Sequence, residues 1–359
     1  MHFGLTEEQE LLQETLRGFV AAECPPSRLR ELFDAGVAHD AALWKGLAEI
    51  GMAGLCIPER FGGAGQGVLD LALCCEELGG GALPGPLLFH SLAALAIDRG
   101  GSLAQRERWL PGLASGETVG SVALCEEGET WDPSTWSIDG KAGVVTGTKS
   151  HVPFAGEADL LVVGTAGGGL GVVERGAPGL RAGPLAGADR TRPVGSVVFD
   201  ATPFEALEDG VQAAPLVRDA GLCALTADAF GAAWALTRMT VEYAKVRQQF
   251  GRPIAEFQSV KHQLADMATA IEPTRGLFWY AAYACDHLPE EAARQAAVAK
   301  AHITDCAVEI ARDAVELHGG LGFTWECDVQ IWLKRALFDR AFLGTPDTHR
   351  ERSAALGSY

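Results

Sequence analysis

Three stretches of this sequence carry side chains at a spacing suited to chemistry. The first is Arg247-Gln248-Gln249-Phe250-Gly251-Arg252-Pro253-Ile254, leading into Phe257-Gln258. Arg247 offers a planar fork of donors suited to pyrophosphate. Phe250 offers an aromatic face, and Gln258 an amide that both donates and accepts. The second is Leu317-His318-Gly319-Gly320-Leu321-Gly322-Phe323. Its glycine pair allows close backbone approach and exposes N–H groups. His318 falls at a helix C-terminus, where a cationic imidazole is favoured. The third is His151, in Ser150-His151-Val152-Pro153-Phe154, read as a β-turn histidine able to shuttle a proton. Singly, each has a plainer reading: a solvated arginine, a core phenylalanine, an ordinary helix C-cap and a structural histidine.

The elements that must position these residues form three blocks. The first third reads as helices. Thr6 with Gln9 is a capping-box pattern, and Leu12, Thr15, Leu16, Phe19 and Val20 recur at helical spacing behind it. Further helices are expected over Ala41–Ile50, Leu69–Leu78, Leu87–Asp98 and Gln105–Leu110, the last ending at Pro111. From about Gly120 to Arg218, β-forming runs such as Leu160-Leu161-Val162-Val163 and Ser196-Val197-Val198-Phe199 alternate with glycine and proline turns. From about Asp219 helical spacing returns, first in Phe230, Trp234, Thr237 and Val241, then in Ile303, Ala307, Ile310, Ala314 and Leu317. The expected fold class is α+β. Its expected parts are a helical domain over 1–118, a small β-barrel or sandwich over 119–218 and a helical bundle over 219–359.

Composition narrows the function. The chain has 359 residues, 48% hydrophobic and 21% charged, which is the make-up of a folded globular protein. Lys and Arg number 29 against 47 Asp and Glu, giving a net charge of −18. So acidic a surface repels a phosphate backbone and anionic lipid, so neither nucleic acid nor a membrane is expected as partner. The nine cysteines are scattered without a C-x-x-C pair, as reduced thiols in a cytosolic protein would be. The start, Met1 to Glu8, has no basic or apolar leader pattern, and no uninterrupted apolar run approaches a membrane span. A cytoplasmic location is the expectation.

The order of helices, β-block and helices, together with four motifs, resembles the acyl-CoA dehydrogenase family over essentially the whole chain. The motifs are Leu5-Thr6-Glu7-Glu8-Gln9, the run from Trp44 to Gly79 ending in Glu76-Glu77-Leu78-Gly79, the Arg247 stretch and the His318 stretch. The resemblance implies three parts, the last a four-helix bundle. It also implies FAD shared across a subunit interface, with the flavin ring on one subunit and the ADP half held by C-terminal helices of the neighbour. On that reading Arg247, Phe250, Gln258, His318, Gly319 and Gly320 are the cofactor-binding residues. The family's usual glutamine three residues before the glycine pair is Glu316 here.

The flavin and substrate side departs from the family pattern. A Trp-Ile/Val-Thr/Ser stretch is replaced by His151-Val152-Pro153, and Thr-Glu-Pro…Gly-Ser-Asp by Cys125-Glu126-Glu127-Gly128-Glu129-Thr130. The family's reaction needs a carboxylate to take an α-proton while the flavin takes a β-hydride. One family position for that base falls on Leu343, the other on Gly221, and a family arginine beside the latter becomes Leu222. Asp219 lies nearby and is a weak substitute.

The resemblance therefore implies a non-catalytic subunit of a heterotetrameric (α2β2) acyl-CoA dehydrogenase in fatty-acid or steroid side-chain catabolism. A catalytic partner subunit would carry the flavin pocket and the base, act on the acyl-CoA, and pass electrons to an electron-transfer flavoprotein. The alternatives are a self-sufficient homotetrameric dehydrogenase with a displaced base, and a non-enzymatic scaffold of the same fold.

Overall fold

The computed structural model describes residues 4–128 and 131–357. Glu129 and Thr130, within the departed stretch, lie outside the described residues, as do Met1 to Phe3 of the expected leader-free start.

The chain opens with helices α1 (Glu7–Glu23), α2 (Pro26–Ala35), α3 (Ala41–Glu49), α4 (Val68–Gly80), α5 (Leu87–Gly100) and α6 (Leu103–Ala114). Strands β1 (Gly120–Ala123), β2 (Val144–Pro153), β3 (Leu160–Thr165), β4 (Gly169–Glu174), β5 (Leu180–Pro184), β6 (Val194–Pro203) and β7 (Glu205–Ala206) follow. After α7 (Gly210–Val246) comes a short hairpin, β8 (Gln248–Gln249) and β9 (Arg252–Pro253). Helices α8 (Gln258–Ile271), α9 (Arg275–His287), α10 (Pro289–Leu317), α11 (Val329–Ala341) and α12 (Pro346–Leu356) complete the chain.

Local chemistry accounts for several boundaries. The Thr6 hydroxyl accepts from Gln9 N and the Gln9 side chain accepts from Thr6 N, so the expected capping box starts α1. One proline reading needs correction. Pro111 does not end α6: the helix runs to Ala114, and Ser115 N still bonds Pro111 O at 3.1 Å, because proline removes a donor but keeps its acceptor. Pro26 begins α2, which the sequence did not show as a helix; at a first helical position proline's missing N–H costs nothing. The last long helix upstream of Arg247 also starts earlier than Asp219, at Gly210, with Pro215 inside it.

Packing divides the chain into two compact units. One is Met1–Ala35, Ala72–Leu83 and Leu222–Tyr359; the other is Gly36–Leu71 and Pro84–Gly221.

In the first unit α10 packs against α8, α9, α11 and α12. Phe230 of α7 meets Phe278 of α9 with ring centroids 5.3 Å apart. α4 and α7 cross at glycines: a Cβ on Gly79 would lie 2.0 Å from Asp228 O, and one on Gly231 would lie 1.9 Å from Glu76 O. No residue but glycine fits at either point. Beside this crossing, the buried Arg335 guanidinium donates two hydrogen bonds to the buried Asp228 carboxylate, at 2.8 and 2.7 Å. A third goes to Leu83 O at 3.0 Å.

In the second unit the strands form two sheets, β1-β3-β4-β7 and β2-β6-β5. β1 runs parallel to β3, and the other pairs are antiparallel. Val145, Val152, Val163, Val173, Val197 and Phe199, drawn from both sheets, share one apolar core, as a small sandwich requires.

None of the nine cysteines is joined in a disulfide; eight are buried and Cys285 is half-buried. Cys223 and Cys285 approach to 3.8 Å between sulfurs, a thiol hydrogen bond rather than a disulfide. α7 is long and apolar enough to cross a membrane, but 94% of its apolar stretch is buried inside the protein, which makes it a core helix.

Candidate functional site

The end of α7 builds the first half of the site. Arg247 follows its last residue, and the tight β8–β9 hairpin puts Phe250 at its tip with φ +52°, next to Gly251 at +78°. Ile254 N bonds back to Arg247 O at 2.8 Å, so the hairpin closes on the arginine. Phe250 is 93% exposed, its ring edge-on to Phe257 at 6.0 Å. Core packing therefore does not describe this residue. The Arg247 guanidinium has no ion pair or hydrogen bond among the described residues, and Gln258 is exposed as the first residue of α8.

The second half follows α10. His318 caps that helix, and Gly319 turns the chain with φ +62° into a short 3-10 helix over Gly319–Phe323. A Cβ added at Gly319 or Gly320 would meet nothing within 4 Å. Gly319 needs its positive φ. Gly320 needs neither a positive φ nor room within its own chain, and the space beside it is open.

One contact that the sequence did not reveal joins the halves. The Tyr243 ring stacks on the His318 imidazole at 4.2 Å and 21°, and Tyr243 Oη donates to His318 O at 3.3 Å. Tyr243 stands one helical turn before Arg247, so the stack ties the arginine end of α7 to the glycine turn. An aromatic residue four positions ahead of Arg247 was the available signal.

His318 itself needs a correction. Burial lowers its pKa and outweighs the raising effect of its bond with Ala314 O at 2.7 Å, which disfavours the cation. Glu316 is exposed rather than turned into the helix packing.

The second unit holds the residues that stand where the family has its flavin contacts. His151 is not in a turn. It lies in β2 at a break in the register with β6, with φ +51°. Its Nδ1 is 3.1 Å from Ser150 Oγ and 3.9 Å from Cys125 Sγ, and its ring lies 6.3 Å from Trp131. Next to it, Lys149 Nζ donates to Glu126 Oε1 at 2.8 Å, both side chains buried. Glu126 also accepts from Ser137 N, Ser137 Oγ and Ile138 N. Burial alone would raise Glu126, but the Lys149 and Ser137 bonds outweigh it and hold the carboxyl below its usual range. Burial pushes the Lys149 ammonium down to about 8. These groups are committed to one another.

No carboxylate stands ready as a base at the positions considered. Leu343 is 2% exposed, with φ +60°. Its carbonyl accepts from His349 Nε2 at 2.9 Å, and Lys300 Nζ donates to Phe342 O at 2.8 Å and to Asp339 O. Leu222 is fully buried. Asp219 is buried and bound by Arg218, whose guanidinium also holds Asp132 at 3.0 Å.

The residues of the first unit and those around His151 suit FAD unequally. An unpaired guanidinium, an exposed aromatic ring and an open glycine turn fit the ADP half. A bulged histidine, Pro153 and a closed Lys149–Glu126 pair do not reproduce the family's flavin-ring contacts. Among the described residues no group of three or more His, Cys, Asp or Glu could hold a metal ion.

Comparison with known proteins agrees with this architecture. The acyl-CoA dehydrogenase N-terminal domain matches residues 6–117 and the acyl-CoA dehydrogenase C-terminal domain matches residues 221–356. Acyl-CoA dehydrogenase IpdE2 of Mycolicibacterium smegmatis is 31% identical over 352 residues, covering 98% of this chain and 99% of its own. The structure of the steroid ACAD Tcur3481-Tcur3483 superposes with TM-score 0.90 at 33% identity, covering 98% and 97%. That of butyryl-CoA dehydrogenase from Megasphaera elsdenii gives 0.88 at 27%, covering 99% of each chain. By motif, fold and relatives alike, this chain belongs to the acyl-CoA dehydrogenase family, whose cofactor is FAD.

Proposed function

We propose that this chain is the non-catalytic subunit of a heteromeric acyl-CoA dehydrogenase, lending ADP-half contacts to FAD whose flavin ring sits on a catalytic partner. The observation that carries the reading is Leu343. The residue at the usual base position is a buried leucine, and its turn is fastened by Lys300 and His349. A hydrocarbon cannot take a proton, and the fastened turn leaves no slack for a neighbour to replace it. Asp219, the nearest substitute, is held by Arg218.

In the complex FAD supplies the hydride acceptor for α,β-desaturation of an acyl-CoA thioester. This chain's part is to bind and orient. Arg247 would face the pyrophosphate, Phe250 and Gln258 the nucleoside end, and Gly319 and Gly320 would admit the cofactor to the backbone, with His318 holding their turn. The acceptor of the electrons is an electron-transfer flavoprotein, and the location is the cytoplasm. The likeness to a steroid ACAD supports a bulky acyl-CoA as substrate of the complex. The blocks 1–118, 119–218 and 219–359 stand as the proposed domains.

The test is co-expression with an acyl-CoA dehydrogenase encoded beside this chain. The expected results are a colourless lone chain and a yellow, active complex holding one flavin for every two chains, by flavin absorbance against protein mass. One flavin per chain, or dye reduction by the lone chain, would overturn the reading.

A further inference from the structure

Within the first unit lies a cavity of about 740 Å³, walled by α1, the start of α2, the end of α4 and the second half of α7. Its size is that of a site for a small amphipathic molecule. Most of its surface is apolar, from residues such as Val20, Leu29, Met239 and Trp332. None of Arg247, Phe250, Gln258, Gly319 or Gly320 lines it; of the proposed cofactor contacts only His318 does.

Four charged side chains stand at this cavity, and three already have partners. Arg17 donates to both oxygens of Glu77, at 3.0 and 2.6 Å. Glu242 accepts from Lys245 Nζ at 2.6 Å. Arg238 is exposed and makes no ion pair or hydrogen bond among the described residues. The unspent charge is therefore one guanidinium beside an apolar hollow. Glu77 and Glu242 flank it, which disfavours a polyanion such as a phosphate ester. A single carboxylate matches the free fork.

We propose that this cavity is a binding site for an amphipathic monocarboxylate, its apolar body among Val20, Leu29, Met239 and Trp332 and its carboxylate on Arg238. Apart from His318 the site shares no residue with the proposed cofactor contacts, and the proposal does not depend on the subunit reading. Because His318 forms part of its wall, an occupant would press on the residue that stacks on Tyr243 and carries the glycine turn.

Dodecanoate is the probe, titrated calorimetrically into the purified protein, alone or in its complex, with dodecanol as the uncharged control. Saturable binding at one dodecanoate per chain is expected. Arg238→Ala should weaken dodecanoate by roughly tenfold or more, as loss of a charge-assisted hydrogen bond does, and leave dodecanol unchanged. Ala21→Trp, at an exposed position on the cavity wall, should abolish both, with its melting temperature near wild type as proof of folding. Absence of saturable binding, an unaltered dodecanoate affinity in Arg238→Ala, or displacement of dodecanoate by ADP would each overturn the proposal.

Discussion

Tyr243 and His318 stack at 4.2 Å although 75 residues separate them in sequence. The tyrosine hydroxyl bonds the histidine carbonyl, so ring and backbone fix the same turn. The relationship explains how two motifs far apart in the chain present themselves at one end of one unit. It also makes Tyr243 a positioning residue: Tyr243→Leu should loosen FAD in the complex less than loss of Arg247 does, and should increase protease sensitivity around Gly319.

Arg247→Ala should weaken FAD binding in the complex by roughly tenfold to a hundredfold, since a charge-assisted hydrogen bond is worth about 1.5–3 kcal/mol. Flavin fluorescence on dilution of the complex measures it. An unchanged dissociation constant would leave Arg247 as a surface charge.

Leu343→Glu should not make the lone chain active. A base without an aligned hydride acceptor gives no net oxidation. The substitution also places a carboxyl at a position only 2% exposed, where an unpaired charge costs several kcal/mol or stays protonated. Turnover of the complex should stay near wild type. Dye reduction with a panel of acyl-CoAs reads both, and robust activity of the lone variant would favour a self-sufficient enzyme.

Asp228→Ala should cost about 3–5 kcal/mol of stability, because it strands the buried Arg335 guanidinium. Replacing both partners, Asp228→Leu with Arg335→Met, should recover much of that loss, since the desolvation penalty of both charges goes with them. Urea unfolding of the wild type and the two variants gives the comparison.

His90 sets an acid limit on stability. Its Nδ1 accepts from Gly120 N at 3.1 Å, so the ring is the neutral tautomer with Nε2–H donating to Ala53 O at 3.1 Å. Complete burial lowers its pKa from 6.5 to about 4. Between those values the unfolded chain binds a proton that the folded chain refuses, so stability is lost as pH falls through that window, by about 3 kcal/mol in all. His90→Gln should flatten this part of the stability–pH curve. An equal slope in wild type and variant between pH 6.5 and 4 would assign the acid sensitivity elsewhere.

What the sequence determined by itself was local or periodic. The Thr6–Gln9 box and the α10 stripe from Ile303 to Leu317 depend on neighbours three or four residues away, and both stand as read. The same holds for β-rich runs such as Leu160 to Val163. The motifs around Arg247 and Gly319 were legible because their residue types are unusual. Proline was read too strictly at Pro111, since a missing donor does not stop a helix whose remaining bonds can close, as Pro215 inside α7 also shows.

Only the tertiary structure decided which residues act together. It showed that Glu126 is spent on Lys149 and Asp219 on Arg218, that His151 sits on a strand bulge, and that Leu343 is sealed by Lys300 and His349. It also set the direction for His318: a helix end favours the cation, but burial lowers the pKa of the ring stacked on Tyr243. Partnership and desolvation are properties of surroundings assembled from distant parts of the chain, and no spacing rule along one strand or helix contains them.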